Sequence, residues 1–218
     1  TEGYRLGFVN GGKDLSKKKT VNIRYHLGFE RVVRSAVKQF ARMGLMPVIY
    51  RAAAHAVNKR QHLRIGYGGA VPNQQFDYDH RNDEALYLDE KLVTRKLQDQ
   101  QAAFEKYKEL AGVHGGPACM EVFGEAPFAP EQQRAACRLT EEQQRLQVRF
   151  ASESGQITNR YIIGEERSFT IIAWPVPAIG ERFEEIFRET VKINTLSSET
   201  YRRIQQKLID ALDRGAAV

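Results

Sequence analysis

The hydrophobic positions near the start of the chain follow first a strand period and then a helix period. In residues 20–25 every second side chain is apolar, which predicts a strand. From Phe29 the apolar side chains recur every three to four positions, which predicts a helix that ends near Gly44. A second strand is predicted over 47–52. A strand–helix–strand unit of this length favours two parallel, neighbouring strands.

The rest of the chain continues this alternation of elements. A capping box formed by Thr140 and Gln143 predicts the start of a helix, and Pro130 suits the first position of another. The strand over 168–174 is apolar enough for us to expect cover on both of its faces. The other predicted elements are a long helix over 89–111, a strand over 118–123 and two closing helices with apolar stripes that begin at Phe183 and Tyr201.

Strands that alternate with helices predict an α/β fold with right-handed crossovers. We expect a mostly parallel sheet of about four or more strands flanked by helices, in an open, doubly wound arrangement of the Rossmann or flavodoxin type. The 218 residues are expected to form a single domain over 1–218, with an irregular insertion around 55–83.

Charge is distributed unevenly along the chain. Residues 1–64 carry 14 Lys and Arg against 3 Asp and Glu, a net charge of +11, whereas the remaining residues carry 19 against 24, a net charge of −5. Three interpretations stay open: a nucleic-acid face, a surface for an acidic partner, or a basic rim that contacts the acidic part of the same chain.

The densest set of possible metal ligands lies in the insertion. It comprises Asp77, Asp79, His80, Asp83 and Glu84. Carboxylates with a histidine can hold zinc or magnesium, but none of the five histidines has the i, i+4 spacing that places two on one helical face. A solvated or helix-capping acidic loop, or a salt-bridged contact with the basic part, are the alternatives.

Two glycine-rich segments come near nucleotide-binding patterns without completing them. Residues 7–14 place Asp14 where a phosphate-binding loop has Ser or Thr, and a turn is the better interpretation. Residues 66–71 lack the third glycine of a dinucleotide fingerprint and run into Pro72.

Two further candidates flank the strand over 168–174. Arg167 precedes the strand, together with two glutamates, and a salt-bridged helix cap is its alternative role. Trp174 ends the strand, at the edge where open α/β sheets bind ligands, and its alternative role is to wedge the turn into the next helix.

Cysteine usage and hydropathy bear on the compartment. Cys119 and Cys137 match no redox or zinc spacing and are expected to be buried, reduced thiols of a cytoplasmic protein. The longest apolar stretch, 169–179, is broken by two prolines and is too short to span a bilayer. No signal peptide is expected from the first residues, and the chain, which opens without Met, is expected to be a piece of a larger protein.

Six segments resemble the middle of large clostridial leucyl aminopeptidases, which belong with the aminopeptidase T (thermophilic metalloaminopeptidase) family. The segments are residues 1–8, 12–25, 28–31, 73–80, 164–173 and 192–196. The resemblance runs across nearly the whole chain, while the link to the wider family rests mainly on the strand and turn over 170–175.

The resemblance implies an enzyme with an α/β domain like this chain, followed by a metal domain in which two divalent ions, zinc or cobalt, activate a water. It implies that the metal ligands lie downstream, so that this chain has no catalytic residue, binds no metal and is inactive alone. The implied partners are the C-terminal metal domain, a peptide substrate and a second copy in a homodimer. The residues expected to face substrate are Asp79, His80, Arg167 and Trp174.

The alternative is a stand-alone nucleotide- or RNA-binding module that uses the basic N-terminal third. We expect no membrane partner, and the resemblance favours a peptide substrate over a nucleic-acid partner.

Overall fold

The computed structural model describes residues 1–26, 28–53, 62–63 and 74–215. The strands are β1 (Thr20–His26), β2 (Met46–Ala53), β3 (His62–Leu63), β4 (His114–Phe123) and β5 (Thr170–Pro175). The helices are α1 (Glu2–Asn10), α2 (Glu30–Arg42), α3 (Gln74–Asp79), α4 (Glu90–Lys106), α5 (Lys108–Gly112), α6 (Glu141–Tyr161), α7 (Phe183–Asn194) and α8 (Ser198–Leu212). Short 3₁₀ helices occupy Leu15–Lys17, Asp83–Leu86, Gly164–Glu166 and Pro177–Ile179.

The strands form one sheet in the order β3-β2-β1-β4-β5. β1 pairs in parallel with β2 on one side and with β4 on the other, and β5 continues the parallel arrangement beside β4, where the Ser168 amide donates to the Gly115 carbonyl. The two-residue β3 pairs antiparallel with β2. The predicted α/β open sheet is therefore confirmed, and so is the parallel strand–helix–strand unit.

One face of the central strand β1 carries the main core. Val21 and Ile23 are fully buried, and so is Tyr4 of α1. The Tyr4 ring contacts Phe8 of α1 and lies edge-on to Phe40 of α2, with centroids 5.5 and 5.1 Å apart. Aromatic pairs in these tilted and edge-to-face geometries add to the burial of apolar area, so α1 and α2 are fixed on this face.

Helix α1 was not predicted, because its glycines obscure the helical period. Gly7 serves a close approach: a Cβ there would lie 2.0 Å from Oγ of Ser168. The Ser168 hydroxyl donates to the Tyr4 carbonyl at 2.9 Å, and the Tyr4 hydroxyl donates to the carbonyl of Gly116 in β4. The glycine therefore lowers helix propensity but allows α1 to contact the segment that leads into β5.

A second core lies between α4 and α6, where the buried residues are Leu88, Val93, Leu97, Leu146 and Ile157. The predicted capping box at the start of α6 is confirmed: the Thr140 hydroxyl accepts from the Gln143 amide, and Oε1 of Gln143 accepts from the Thr140 amide. Gln143 also donates to the carbonyls of Ala85 and Leu88, which ties α6 to the segment before α4.

Three predicted elements differ from the structure. No helix starts at Pro130, because no apolar stripe follows it; residues 124–139 are irregular. The helix predicted over 89–111 is divided at Tyr107 into α4 and α5. β5 is not covered on both faces, since Ile171 is 53% exposed.

The insertion predicted around 55–83 is described only in part. Residues 74–79 form α3 rather than an irregular loop, whereas most of the earlier positions lie outside the described residues, including the glycines of 66–71 and His55. Residues 7–14 contain the end of α1 and the predicted turn at Gly11 and Gly12, and Asp14 caps the following 3₁₀ helix.

The chain divides into two compact units. The first contains Thr1–Glu121 and Ala126–Ile171, and the second contains Val122–Glu125 and the residues from Ile172 onward. A single domain over 1–218 stays a prediction. None of the helices in the described ranges combines the length and the apolar content that crossing a membrane requires.

Candidate functional site

A wide-mouthed pocket of about 500 Å³ lies over the second face of the sheet, opposite the core formed with α1 and α2. We call it the central pocket. Its floor comes from β1, β2 and β4 through Thr20, Asn22, Arg24, Val48, Tyr50 and His114. Its wall comes from α4, α5 and the end of α6 through Gln100, Ala103, Phe104, Tyr107, Leu110, Ala111 and Ile162. Ligand sites in proteins commonly have volumes of about 300–1,000 Å³.

The polar floor follows from the alternation of β1. Val21 and Ile23 point into the core, so Asn22 and Arg24 point the other way, into the layer beneath α4 and α5. A strand in the middle of a sheet covered on both sides is usually apolar on both faces. Asn22 and Arg24 therefore give the space beneath α4 and α5 a polar floor.

Among the residues that the structure describes, Arg24 is the only charged side chain that lines the central pocket. It is half-buried, and its Nε donates to Oδ1 of Asn22 at 3.0 Å. Among the described residues no carboxylate lies within ion-pair distance of Arg24. This includes Glu121, which lies in β4 two positions after Cys119, the residue that pairs with Arg24 in the sheet. A half-buried cation without a paired anion attracts an anionic ligand.

His114 closes the floor at the start of β4. Its Nδ1 lies 3.4 Å from Oγ1 of Thr20. Burial lowers the pKa of His114 below its ordinary value, and the positive charges of Arg167, Arg24 and Lys18 lower it further. The imidazole is therefore neutral at pH 7 and contributes hydrogen-bonding capacity rather than charge.

The wall of the central pocket offers apolar surface to solvent. Tyr107 is 52% exposed and Leu110 is 64% exposed, while Phe104 is half-buried and stacks on Tyr161 with centroids 5.2 Å apart. The pocket therefore combines one cation with a wall that can cover an apolar or aromatic group.

Asp79 and His80 lie at the end of α3 and bond to different partners. Asp79 accepts from Nε2 of Gln75 at 2.7 Å, and His80 places Nδ1 2.7 Å from Oδ2 of Asp83. The His80 ring also packs on Phe76, with centroids 4.2 Å apart. Asp79 lines a small polar pocket of about 200 Å³ that is distinct from the central pocket.

The possible metal ligands of this segment do not form a cluster in the part that is described. Glu84 accepts from Gln147 of α6, and no group of three His, Cys, Asp or Glu side chains among the described residues is arranged to hold a metal ion. The side chain of Asp77 is outside the described set, so the expectation that this segment holds no metal stays a prediction, with a metal at Asp77, Asp79 and His80 as its alternative.

Arg167 lies just before β5, at the amino-terminal edge of the parallel strands. Its carbonyl accepts from Nζ of Lys13 at 2.6 Å, and its charge acts on His114. Beside it, Glu166 pairs with Lys18 at 2.9 Å. This pair joins the basic third to the acidic part of the chain, as one of the three charge interpretations requires. Arg167 is not among the described residues that line the central pocket, and it acts on the pocket only through the effect of its charge on His114.

Trp174 lies in the second unit, near the end of β5. Its ring packs on Phe187 of α7, with centroids 5.4 Å apart, and Phe187 in turn contacts Phe183. Its Nε1 is buried and has no hydrogen-bond partner among the described residues. These contacts favour the wedge between strand and helix over a ligand contact.

The two cysteines are free thiols. Cys119 is buried, as predicted, and burial raises its pKa, which does not suit a nucleophile. Cys137 is only half-buried and lines the small pocket beside Asp79.

The outer face of α2 carries a row of exposed cations at helical spacing: Arg31, Arg34, Lys38 and Arg42. None of them forms an ion pair within the ranges that the structure describes. We call this row the α2 basic stripe. It covers about 16 Å of the helix surface, from a rise of about 1.5 Å per residue.

Sequence reasoning did not single out the central pocket, although its signal was present. The polar positions of β1 alternate with the apolar ones, but only the strand order shows that β1 is the middle strand. Comparison with protein families, with curated proteins and with solved structures gives no match to this chain.

Proposed function

We propose that this chain is the non-catalytic α/β part of a metal-dependent aminopeptidase, an enzyme that removes N-terminal residues from peptides. The observation that carries the proposal is the resemblance of six segments, spread from residue 1 to residue 196, to clostridial leucyl aminopeptidases. The open α/β sheet is consistent with it. The function of this part is to shape the substrate cleft and to pack against the metal domain, in a cytoplasmic, homodimeric parent.

In the parent enzyme, two divalent ions such as zinc or cobalt would supply the activated water and polarise the scissile carbonyl. No ligand for those ions is assigned to this chain. Its own residues supply surfaces: Arg167 before β5 and the turn with Asp79 and His80 are the positions proposed to face the peptide.

Helix α8 supports a role in domain packing. Ile204, Leu208 and Leu212 recur on one side of the helix and are 46%, 62% and 57% exposed. Contiguous exposed apolar surface of this kind is typical of an interaction site. The proposal assigns this side of α8 to the contact with the metal domain.

The test is an assay with a leucine anilide and added zinc or cobalt, on this chain and on the full-length protein. We expect hydrolysis by the full-length protein only. Hydrolysis by the 218-residue chain alone would contradict the proposal, and so would an inactive, folded and metal-loaded full-length protein.

A matched pair of variants in the full-length protein tests the packing role. Leu208→Glu places a charge on the apolar side of α8, and we expect it to lower activity and the midpoint of thermal unfolding. Arg203→Gln changes the net charge by the same amount on the opposite, exposed side of α8 and is expected to leave both unchanged. Equal behaviour of the two variants would remove α8 from the interface.

The α2 basic stripe favours one second candidate, an RNA-binding module. Its four cations could contact successive phosphates, and such binding weakens steeply with salt. Retention of RNA at low salt that is lost at high salt, and lost in Arg34→Gln with Lys38→Gln, would favour this candidate over a peptidase part.

A further inference from the structure

We propose that the central pocket binds a small monocarboxylate that carries an aromatic or branched apolar group, with Arg24 paired to the carboxylate. This site is independent of the proposed peptidase function, because it requires neither the metal ions nor a second domain.

The guanidinium of Arg24 is prepared for a carboxylate. Its Nε is occupied by Oδ1 of Asn22, which fixes the plane of the group. Its two terminal nitrogens have no hydrogen-bond partner among the described residues. Two parallel N–H donors on one guanidinium match the two oxygens of a carboxylate, which is the geometry of the strongest Arg–carboxylate pairs.

The charge of the pocket suits a single negative charge. Arg24 is the only charged residue in the described part of its lining, and His114 is neutral at pH 7. Lys18 is directed elsewhere, since its Nζ donates to the Gly112 carbonyl and to Glu166. A phosphate dianion would leave one charge uncompensated in a half-buried site, which is costly.

The wall supplies the second half of the recognition. Phe104, Tyr107 and Leu110 face the same space as Arg24 and leave apolar surface exposed. A ligand that carries only a carboxylate, such as acetate, would not cover this surface. Covering apolar surface contributes about 25 cal/mol per Å², so a ring or a branched chain next to the carboxylate should tighten binding.

The experiment titrates the ¹⁵N-labelled 218-residue chain with 4-phenylbutyrate, with its neutral amide 4-phenylbutyramide, and with inorganic phosphate, following backbone amide shifts. We expect 4-phenylbutyrate to shift amides of β1 and of residues 104–111. The amide analogue should bind at least tenfold more weakly, because it lacks the charge that pairs with Arg24. Phosphate should bind at least tenfold more weakly as well, because it lacks the apolar group.

Two variants, each of which removes one positive charge, provide the test and its control. Arg24→Gln should weaken 4-phenylbutyrate binding at least tenfold, whereas Arg34→Gln, on the exposed face of α2, should change it less than twofold. Equal binding of acid and amide to the wild-type chain would overturn the proposal, and this comparison holds even if Arg24→Gln fails to fold. Equal loss in the two variants, or no saturable shift of the pocket amides, would also overturn it.

Discussion

Lys18 and Glu166 form an ion pair that is buried at one end and open at the other. The Nζ–Oε2 distance is 2.9 Å, with 3% of the lysine side chain and 52% of the glutamate side chain exposed. The same Nζ donates to the carbonyl of Gly112, at the end of α5. Lys18 therefore satisfies a helix terminus and links the segment before β1 to the segment before β5.

We predict that Lys18→Met lowers the free energy of unfolding by about 1–3 kcal/mol, because the Gly112 carbonyl is left without its partner. Glu166→Gln should cost less, since the glutamate is half exposed and water can replace its contact. Urea unfolding of the two variants checks the order, and a larger loss in Glu166→Gln would contradict it.

The ion pair of Lys18 and Glu166 predicts that acid lowers the stability of the folded chain. Lys18 lowers the pKa of Glu166, by a hydrogen bond first and by its charge second. A carboxyl group whose pKa is lowered by folding stabilises the folded chain at any pH above its unfolded pKa. That stabilisation is lost as the pH falls through the folded pKa. Wild type should therefore lose more stability than Glu166→Gln between pH 5 and pH 3, as measured by urea midpoints.

We predict that Gly7→Ala destabilises the chain by about 1–3 kcal/mol, because the new methyl group overlaps the Ser168 hydroxyl and forces a shift. Gly155→Ala in α6 is the control: a Cβ there has nothing within 4 Å, and we expect a gain of about 0.5–1 kcal/mol from helix propensity. Adding Ser168→Ala to Gly7→Ala should recover part of the loss. Additive effects of these two substitutions would show that they do not share one contact.

We predict that His114 makes stability fall as the pH drops below about 6.5, the ordinary histidine pKa. Its pKa is lowered in the folded chain, chiefly by burial, so the unfolded chain takes up the proton first and is favoured by acid. His114→Asn removes the titratable imidazole and keeps a polar group near Thr20. Urea midpoints of wild type should fall more than those of the variant between pH 7.5 and pH 5.5; parallel curves would contradict the assignment.

We predict that Trp174→Phe is nearly neutral. The substitution keeps a ring against Phe187 and removes a buried Nε1 that has no hydrogen-bond partner among the described residues. Trp174→Ala should cost about 1–3 kcal/mol, because it removes a half-buried ring from its contact with Phe187. Circular dichroism during thermal unfolding checks both, and a large loss in Trp174→Phe would point to a specific role for the indole nitrogen.

The regular elements could be predicted because local pattern and tertiary structure agree. β1, α2 and β2 follow from periods of two and 3.6 residues and from the glycine at position 44, whose φ of +77° suits the end of a helix. Helix α1 could not be predicted, because Gly7, which lowers its helix propensity, is explained only by Ser168, more than 160 residues away.

The central pocket depends even more on tertiary structure. Arg24 and Asn22 are ordinary outward-facing residues in an isolated strand. They become a site only because β1 lies in the middle of the sheet and α4 and α5 leave a space above it. The residues predicted from chemistry alone, Asp79 and His80, bond instead to near neighbours in sequence.

The first unit holds two apolar interiors, one between the sheet and helices α1 and α2, the other inside the α4–α6 pair. Between them lies the polar side of β1. The amides of β1 lie in the middle of the sheet, whereas those of α4 depend on the separate apolar cluster with α6. We therefore expect hydrogen exchange to report two levels of protection within this unit, with the slower exchange in β1.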